Sequence, residues 1–250
     1  MDKKKTVLIF LFVFLGVFAL ITIACNYHKE LKSDNYSNEK EYEVSTYITD
    51  DIIANTQNCK VDLCLNEEYT PELIGEDADD IVIASVISLD GAIADEGLFG
   101  ITTGKLLINT TIKGDLQQGQ VIEYMKNGGV MKMSEWEATQ PASANSKRQY
   151  LREQSGNNIN LDNTYINVSI SDDIDIEEGY TYLIYLKKNQ EKYEIIGLDV
   201  GLRKVNVNYS SRLRTQNLDI DTLEVMNNKT GEFESLQNYI NTYISNGEKE

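Results

Sequence analysis

The chain begins with an unbroken apolar stretch, Thr6 to Ala24 (TVLIFLFVFLGVFALITIA), and contains no second one of that length. At the helical rise such a segment just spans a hydrocarbon core of about 30 Å. Polar, charge-mixed residues follow from Asn26 to Thr46 without a sustained period, which predicts a stalk. Thr70-Pro71-Glu72-Leu73 then predicts a helix start, with Thr as N-cap and Pro at the first helical position, and an end near Asp79. From there the pattern is that of strands. Asp80–Leu89 (DIVIASVISL) is apolar and β-branched almost throughout, as a strand covered on both faces must be. Lys105–Ile112 alternates, with Leu106, Ile108, Thr110 and Ile112 on one face. Val121–Met125 predicts a third strand closed by the turn Asn127-Gly128-Gly129. Tyr165–Ile170 alternates with Ile166, Val168 and Ile170 inward, and Tyr182, Ile184 and Leu186 repeat the pattern. Tyr193–Ile196 and Leu202–Val207 complete the strands, separated by Gly197 and Gly201. Short helices with little apolar face are expected over Ser134–Ala138 and Pro141–Arg152. At the end, Phe233, Leu236, Ile240, Tyr243 and Ile244 share one stripe at helical spacing, predicting an amphipathic helix over residues 231–245.

These elements predict a mainly β domain over residues 47–250. Three strands, a helical connection and further strands is the order of an OB-like barrel, and a β-sandwich with a covering C-terminal helix shares the same local signals. Residues 1–25 form an anchor and 26–46 the stalk. Lys3, Lys4 and Lys5 before the apolar run favour an N-terminus kept inside and a domain facing outward. Two fates fit the segment: an uncleaved transmembrane helix, or a lipoprotein signal. Thr22-Ile23-Ala24-Cys25 resembles a bacterial lipobox, with Ala before Cys at the end of an apolar run, which would make Cys25 a lipidation site; it departs from that pattern at Thr22, where Leu is usual.

The segments ADDIVIASV, Lys113-Gly114, Asn127-Gly128-Gly129 and EEGYTYLIYL resemble those of uncharacterised bacterial membrane-anchored or lipid-anchored proteins. The resemblance covers about half the chain, Asp79 to Leu186. The first two are also similar to the netrin-like domains of secreted inhibitors, which implies an OB-fold. Those domains inhibit through an N-terminal Cys-x-Cys that this chain lacks, so the inhibitory mode is not implied.

Charge and residue usage narrow the chemistry. Against 23 Lys and Arg stand 40 Asp and Glu, a net charge of −17, and three of the lysines sit ahead of the anchor. Such a domain repels phosphate backbones, so nucleic acid is a poor partner and any partner is expected to be a neutral or basic extracellular protein or ligand, beyond the membrane itself. His28 is the single histidine and lies beside the anchor. A His/Cys zinc site in the domain and histidine-based nucleophilic catalysis are therefore excluded. Cys59 and Cys64 bracket KVDL, and outside the cell a disulfide there competes with two thiols. The densest acidic run, residues 171–179 (SDDIDIEEG), offers Asp173, Asp175 and Glu177 at alternate positions as weak metal candidates. Against an EF-hand loop the glycine falls one place late and the twelfth position from Asp173 is Ile184, so an acidic turn is the better reading. No catalytic carboxylate pair and no cofactor-binding loop stands out. The expected function is a tethered binding or interaction module, with a carboxylate-dependent hydrolase as the alternative.

Overall fold

Strands with apolar residues on both faces have to be buried between two layers, and that requirement organises the whole domain. The computed structural model describes residues 40–62, 69–94, 99–156, 159–216 and 218–244. The chain divides into Met1–Lys40 and Glu41–Glu250, and the described strands and helices all belong to the second unit. The anchor segment, Cys25 and Cys64 lie outside the described residues. Among the described residues no helix is long and apolar enough to cross a membrane.

In chain order the strands are β1 (Tyr42–Glu43), β2 (Ser45–Thr46), β3 (Thr56–Val61), β4 (Asp80–Ile93), β5 (Ile101–Lys113), β6 (Val121–Asn127), β7 (Gly129–Lys132), β8 (Tyr165–Ile170), β9 (Thr181–Asn189), β10 (Lys192–Ile195), β11 (Leu202–Lys204), β12 (Arg212–Leu213), β13 (Glu224–Asn227) and β14 (Glu232–Ser235). Helices occupy Asp50–Ala54, Pro71–Asp77, Met133–Thr139, Ala142–Ser155, Leu198–Gly201 and Leu236–Tyr239, the last running on as a wider turn over Ile240–Ile244. The Pro71–Asp77 helix starts as its sequence predicts, with the Thr70 hydroxyl accepting from Leu73 N–H at 3.4 Å. The end of the expected stalk, Tyr42–Thr46, forms strands of the folded unit, pairing with β12 and β4.

The fold is mainly β. The largest sheet runs β11-β9-β10-β6-β5-β4-β2, and β4 also pairs with β9 over Asp80–Ser85. All these pairings are antiparallel except β6 with β10 and β2 with β4. Register shifts along the β4–β5 ladder bend β4, which pairs with β5 along one edge and with β9 and β2 along the other. Its side chains split by parity. Val82, Ala84 and Val86 face a core that includes Leu106, Tyr124 and Ile184. Ile81 and Ile83 face a second core, where Leu236, Tyr239 and Val225 cover the sheet. β5 is likewise buried on both sides from Leu106 to Asn109, so its alternation marks only half of its contacts. A smaller sheet, β3-β8-β7, packs Ile166 and Val168 against Met131, Met133 and Trp136.

The turn Asn127-Gly128-Gly129 ends β6 as expected, and it leads into no hairpin, because β6 pairs with β5 and β10 while β7 pairs with β8. The glycines make a corner that passes the chain from the large sheet to the small one. Both have positive φ (+88° and +120°), and a side chain on Gly129 would collide with Thr102. One expectation, the helix over residues 231–245, is corrected. A turn ending at Gly231 (φ +73°) folds β14 back on β13, and helix begins only at Leu236, with Ser235 as its cap. Phe233 is therefore on a hairpin and 43% exposed, whereas Leu236, Tyr239 and Ile240 are buried. Ser245 lies outside the described residues.

Candidate functional site

Along β6 the inward positions are Ile122, Tyr124 and Lys126, so the stripe ends on a charge. A buried ammonium requires a partner. Asp173 supplies it from the turn after β8, where Asp172 takes a left-handed conformation (φ 62°) that Asp tolerates. The two side chains form an ion pair with 9% and 7% of their surfaces exposed. Asp173 Oδ1 also accepts the Ile174 N–H at 2.8 Å.

This pair is the common wall of two adjoining cavities. The first, about 350 Å³, lies between the Pro71–Asp77 helix and β10, with Leu73, Ile74, Phe99, Ile195 and Leu198 among its apolar walls. The second, about 290 Å³, lies between Thr46–Ile48, β7 and β8, and is closed on one side by residues 173–178. Lys126, Asn127, Ile170 and Asp173 line both. Across the second cavity the Tyr47 hydroxyl donates to the Val130 carbonyl. The Tyr47 hydroxyl pKa is pushed up to about 12, chiefly by burial.

The acidic run is a turn leading into β9, as expected, and it also walls the second cavity. It is pinned at both ends: the Asp172 carbonyl accepts the Asp199 N–H at 3.1 Å, and at the far end the Tyr182 hydroxyl accepts the Glu177 N–H at 3.1 Å and Gly179 N–H donates to the Val86 carbonyl at 2.9 Å. Its carboxylates diverge. Asp173 turns inward to Lys126, Asp175 is exposed, and Glu177 meets Lys204 at 3.4 Å. Among the described residues no group of three His, Cys, Asp or Glu side chains is placed to hold a metal ion. Asp199 has its carboxyl pKa raised, mainly by burial, with Lys229 and Arg203 opposing; it lines neither cavity.

Elsewhere the small sheet has a core of its own. Trp136 is buried in the small-sheet core, and the Arg148 guanidinium stacks 4.5 Å from its ring. Arg152 and Glu137 brace the same helix pair through two hydrogen bonds. Cys59, on β3, is half-buried against that core. Reading the sequence does not find Lys126. The available signal is its position two residues beyond Tyr124 on a strand whose alternate positions are apolar. No protein-family model matches the chain, and no curated protein does.

Proposed function

We propose that this protein is a membrane-tethered binding module, an OB-like barrel on a stalk outside the cell that receives a neutral or basic partner. The observation that carries this reading is the pair of adjoining, apolar-walled cavities on either side of Lys126–Asp173. Small-molecule and side-chain sites are concave, largely apolar and supplied with a few fixed polar groups. Both cavities fit that description.

The barrel reading rests on the ladders. β4–β5, β5–β6, β6–β10, β10–β9 and β9–β4 join end to end, with β6 and β10 parallel. The helices Met133–Thr139 and Ala142–Ser155 fall between the third and fourth of these strands, the OB order. The outward location rests on Lys3, Lys4 and Lys5 ahead of Thr6–Ala24, and attachment is through that segment or a lipid on Cys25. Binding is favoured over hydrolysis because the carboxylates around the cavities diverge or are paired with lysines, whereas acid–base catalysis needs a converging, tuned pair.

The test has two arms. Protease shaving of intact cells should remove the domain, and palmitate-analogue labelling compared with Cys25→Ser separates lipid from helix. Pull-down with the detergent-solubilised full chain should retain a partner at low salt and lose it at high salt. A domain that survives shaving, or glycan or peptide turnover abolished by one Asp or Glu substitution with folding unchanged, overturns the reading.

A further inference from the structure

We infer that the cavity bounded by residues 173–178 is a receptor for a lysine or arginine side chain presented by a basic peptide segment of an extracellular protein. This rests on the binding-module reading and names the ligand class. The argument starts from the walls. Ile48, Leu89, Val168, Ile170 and Ile176 give the cavity an apolar lining, and at about 290 Å³ it suits one or two long side chains better than a bulky ligand.

Charge then selects among long side chains. Asp173, Asp175, Glu177 and Glu178 line this cavity, and Lys126 is the one cation among its described lining residues. Lys126 is already bound to Asp173, and Glu177 has Lys204. Asp175 and Glu178 take part in none of the ion pairs among the described residues. The mouth therefore keeps two uncompensated carboxylates beside an apolar wall. An anion is repelled there. A neutral apolar side chain would strip water from Asp175 and Glu178 without replacing it. A lysine or arginine satisfies both surfaces at once, its methylene stem on the wall and its cationic head at the mouth. Asn127, Asn167 and Ser169 supply further polar contacts for the backbone that carries it.

The test measures fluorescence anisotropy of labelled peptides on the full-length chain in detergent micelles. Three peptides of equal length are used, repeating Gly-Lys, Gly-norleucine or Gly-Glu. The lysine peptide should bind, and should weaken about tenfold between roughly 50 and roughly 300 mM salt. The norleucine peptide should bind at least about tenfold more weakly and the glutamate peptide not at all. The double variant Asp175→Asn/Glu178→Gln should lose about tenfold in affinity for the lysine peptide and flatten its salt dependence. Its melting temperature should stay unchanged. Asp50→Asn/Asp51→Asn, two exposed acids outside this cavity, should change nothing. Equal binding of norleucine and lysine peptides overturns the inference, as does an equal loss in both double variants. Spermidine competing as well as the peptide also overturns it, by pointing to a free amine. A partner captured by pull-down whose retention ignores Asp175→Asn/Glu178→Gln removes this ligand class while leaving the binding module; absence of any partner removes both.

Discussion

Asp80 holds the turn at Gly114. Its Oδ1 accepts the backbone N–H groups of Asp115 at 2.8 Å and Leu116 at 3.1 Å, and Gly114 sits at φ +97° with its Cα facing the same carboxylate. A side chain at Gly114 would collide with Asp80, and only glycine adopts that backbone without strain. Beside it, the Lys113 ammonium donates at 2.7 Å to the carbonyls of Gly75 and Ala78, closing the Pro71–Asp77 helix against β5. The pairs Asp79-Asp80 and Lys113-Gly114, far apart in the sequence, are thus two halves of one joint.

Asp80→Ala should cost about 1.5–3 kcal/mol, because the buried Leu116 N–H and the partly buried Asp115 N–H lose a charged acceptor. Gly114→Ala should cost about 1–3 kcal/mol from the forced backbone. The double variant should cost less than their sum, since removing Asp80 also removes the collision. Urea denaturation of the three proteins checks this, and strict additivity would contradict the account.

Lys126→Met leaves Asp173 buried without a partner and should destabilise by about 3–5 kcal/mol. Lys126→Met/Asp173→Leu should recover most of that loss, since an apolar replacement of both charges avoids the desolvation penalty. A coupling energy near zero in the double-mutant cycle would mean the pair is not formed in solution.

Alkali should unfold this domain before its inner tyrosines ionise. Burial raises the pKa of Tyr124, Tyr182, Tyr185 and Tyr239, and pushes Tyr47 up to about 12. Neutral hydroxyls are favoured in the fold, so their stabilisation is complete below the unfolded value near 10 and is lost as pH rises above it. Tyrosinate absorbance from these residues should therefore grow together with loss of the far-ultraviolet β signal. Smooth ionisation of every tyrosine near pH ~10 with the fold intact would refute the burial.

Leu236→Ala should cost about 2–5 kcal/mol, whereas Phe233→Ala should be nearly neutral. Leu236 is fully buried against Tyr239 and the second core, and Phe233 is half outside on β14. Equal losses would restore the continuous helix that the apolar stripe predicts.

The sequence makes legible what neighbours along the chain decide. The DIVIASVISL run declares a strand covered on both faces, Thr70-Pro71 declares a cap, and Ile166, Val168 and Ile170 declare an inward face. Partner choice is not legible there. Gly128-Gly129 signals a change of direction equally for a hairpin and for a corner, and only the pairing of β7 with β8 distinguishes them. The stripe from Phe233 to Ile244 holds from Leu236 onward, and only Phe233 departs from it, because helical spacing does not show that Glu232–Ser235 pairs as a strand with β13. Asp173 is, along the chain, one acidic residue among many, and its role emerges only because β6 brings Lys126 to it from 47 positions away.

The double pairing of β4 also sets the order of assembly. β4, β5 and β6 are contiguous and can associate as soon as they are made, but the second edge of β4 waits for β9. Ser85 meets Thr181 at 2.7 Å across 96 residues of chain. Until then an apolar, β-branched edge with unsatisfied backbone groups stays open, and distant pairings of this kind close slowly. During synthesis that interval is the time needed to make the 96 residues from Ser85 to Thr181. Refolding after dilution from urea should accordingly show a concentration-dependent loss to aggregation that a peptide copy of β9 suppresses by occupying the waiting edge.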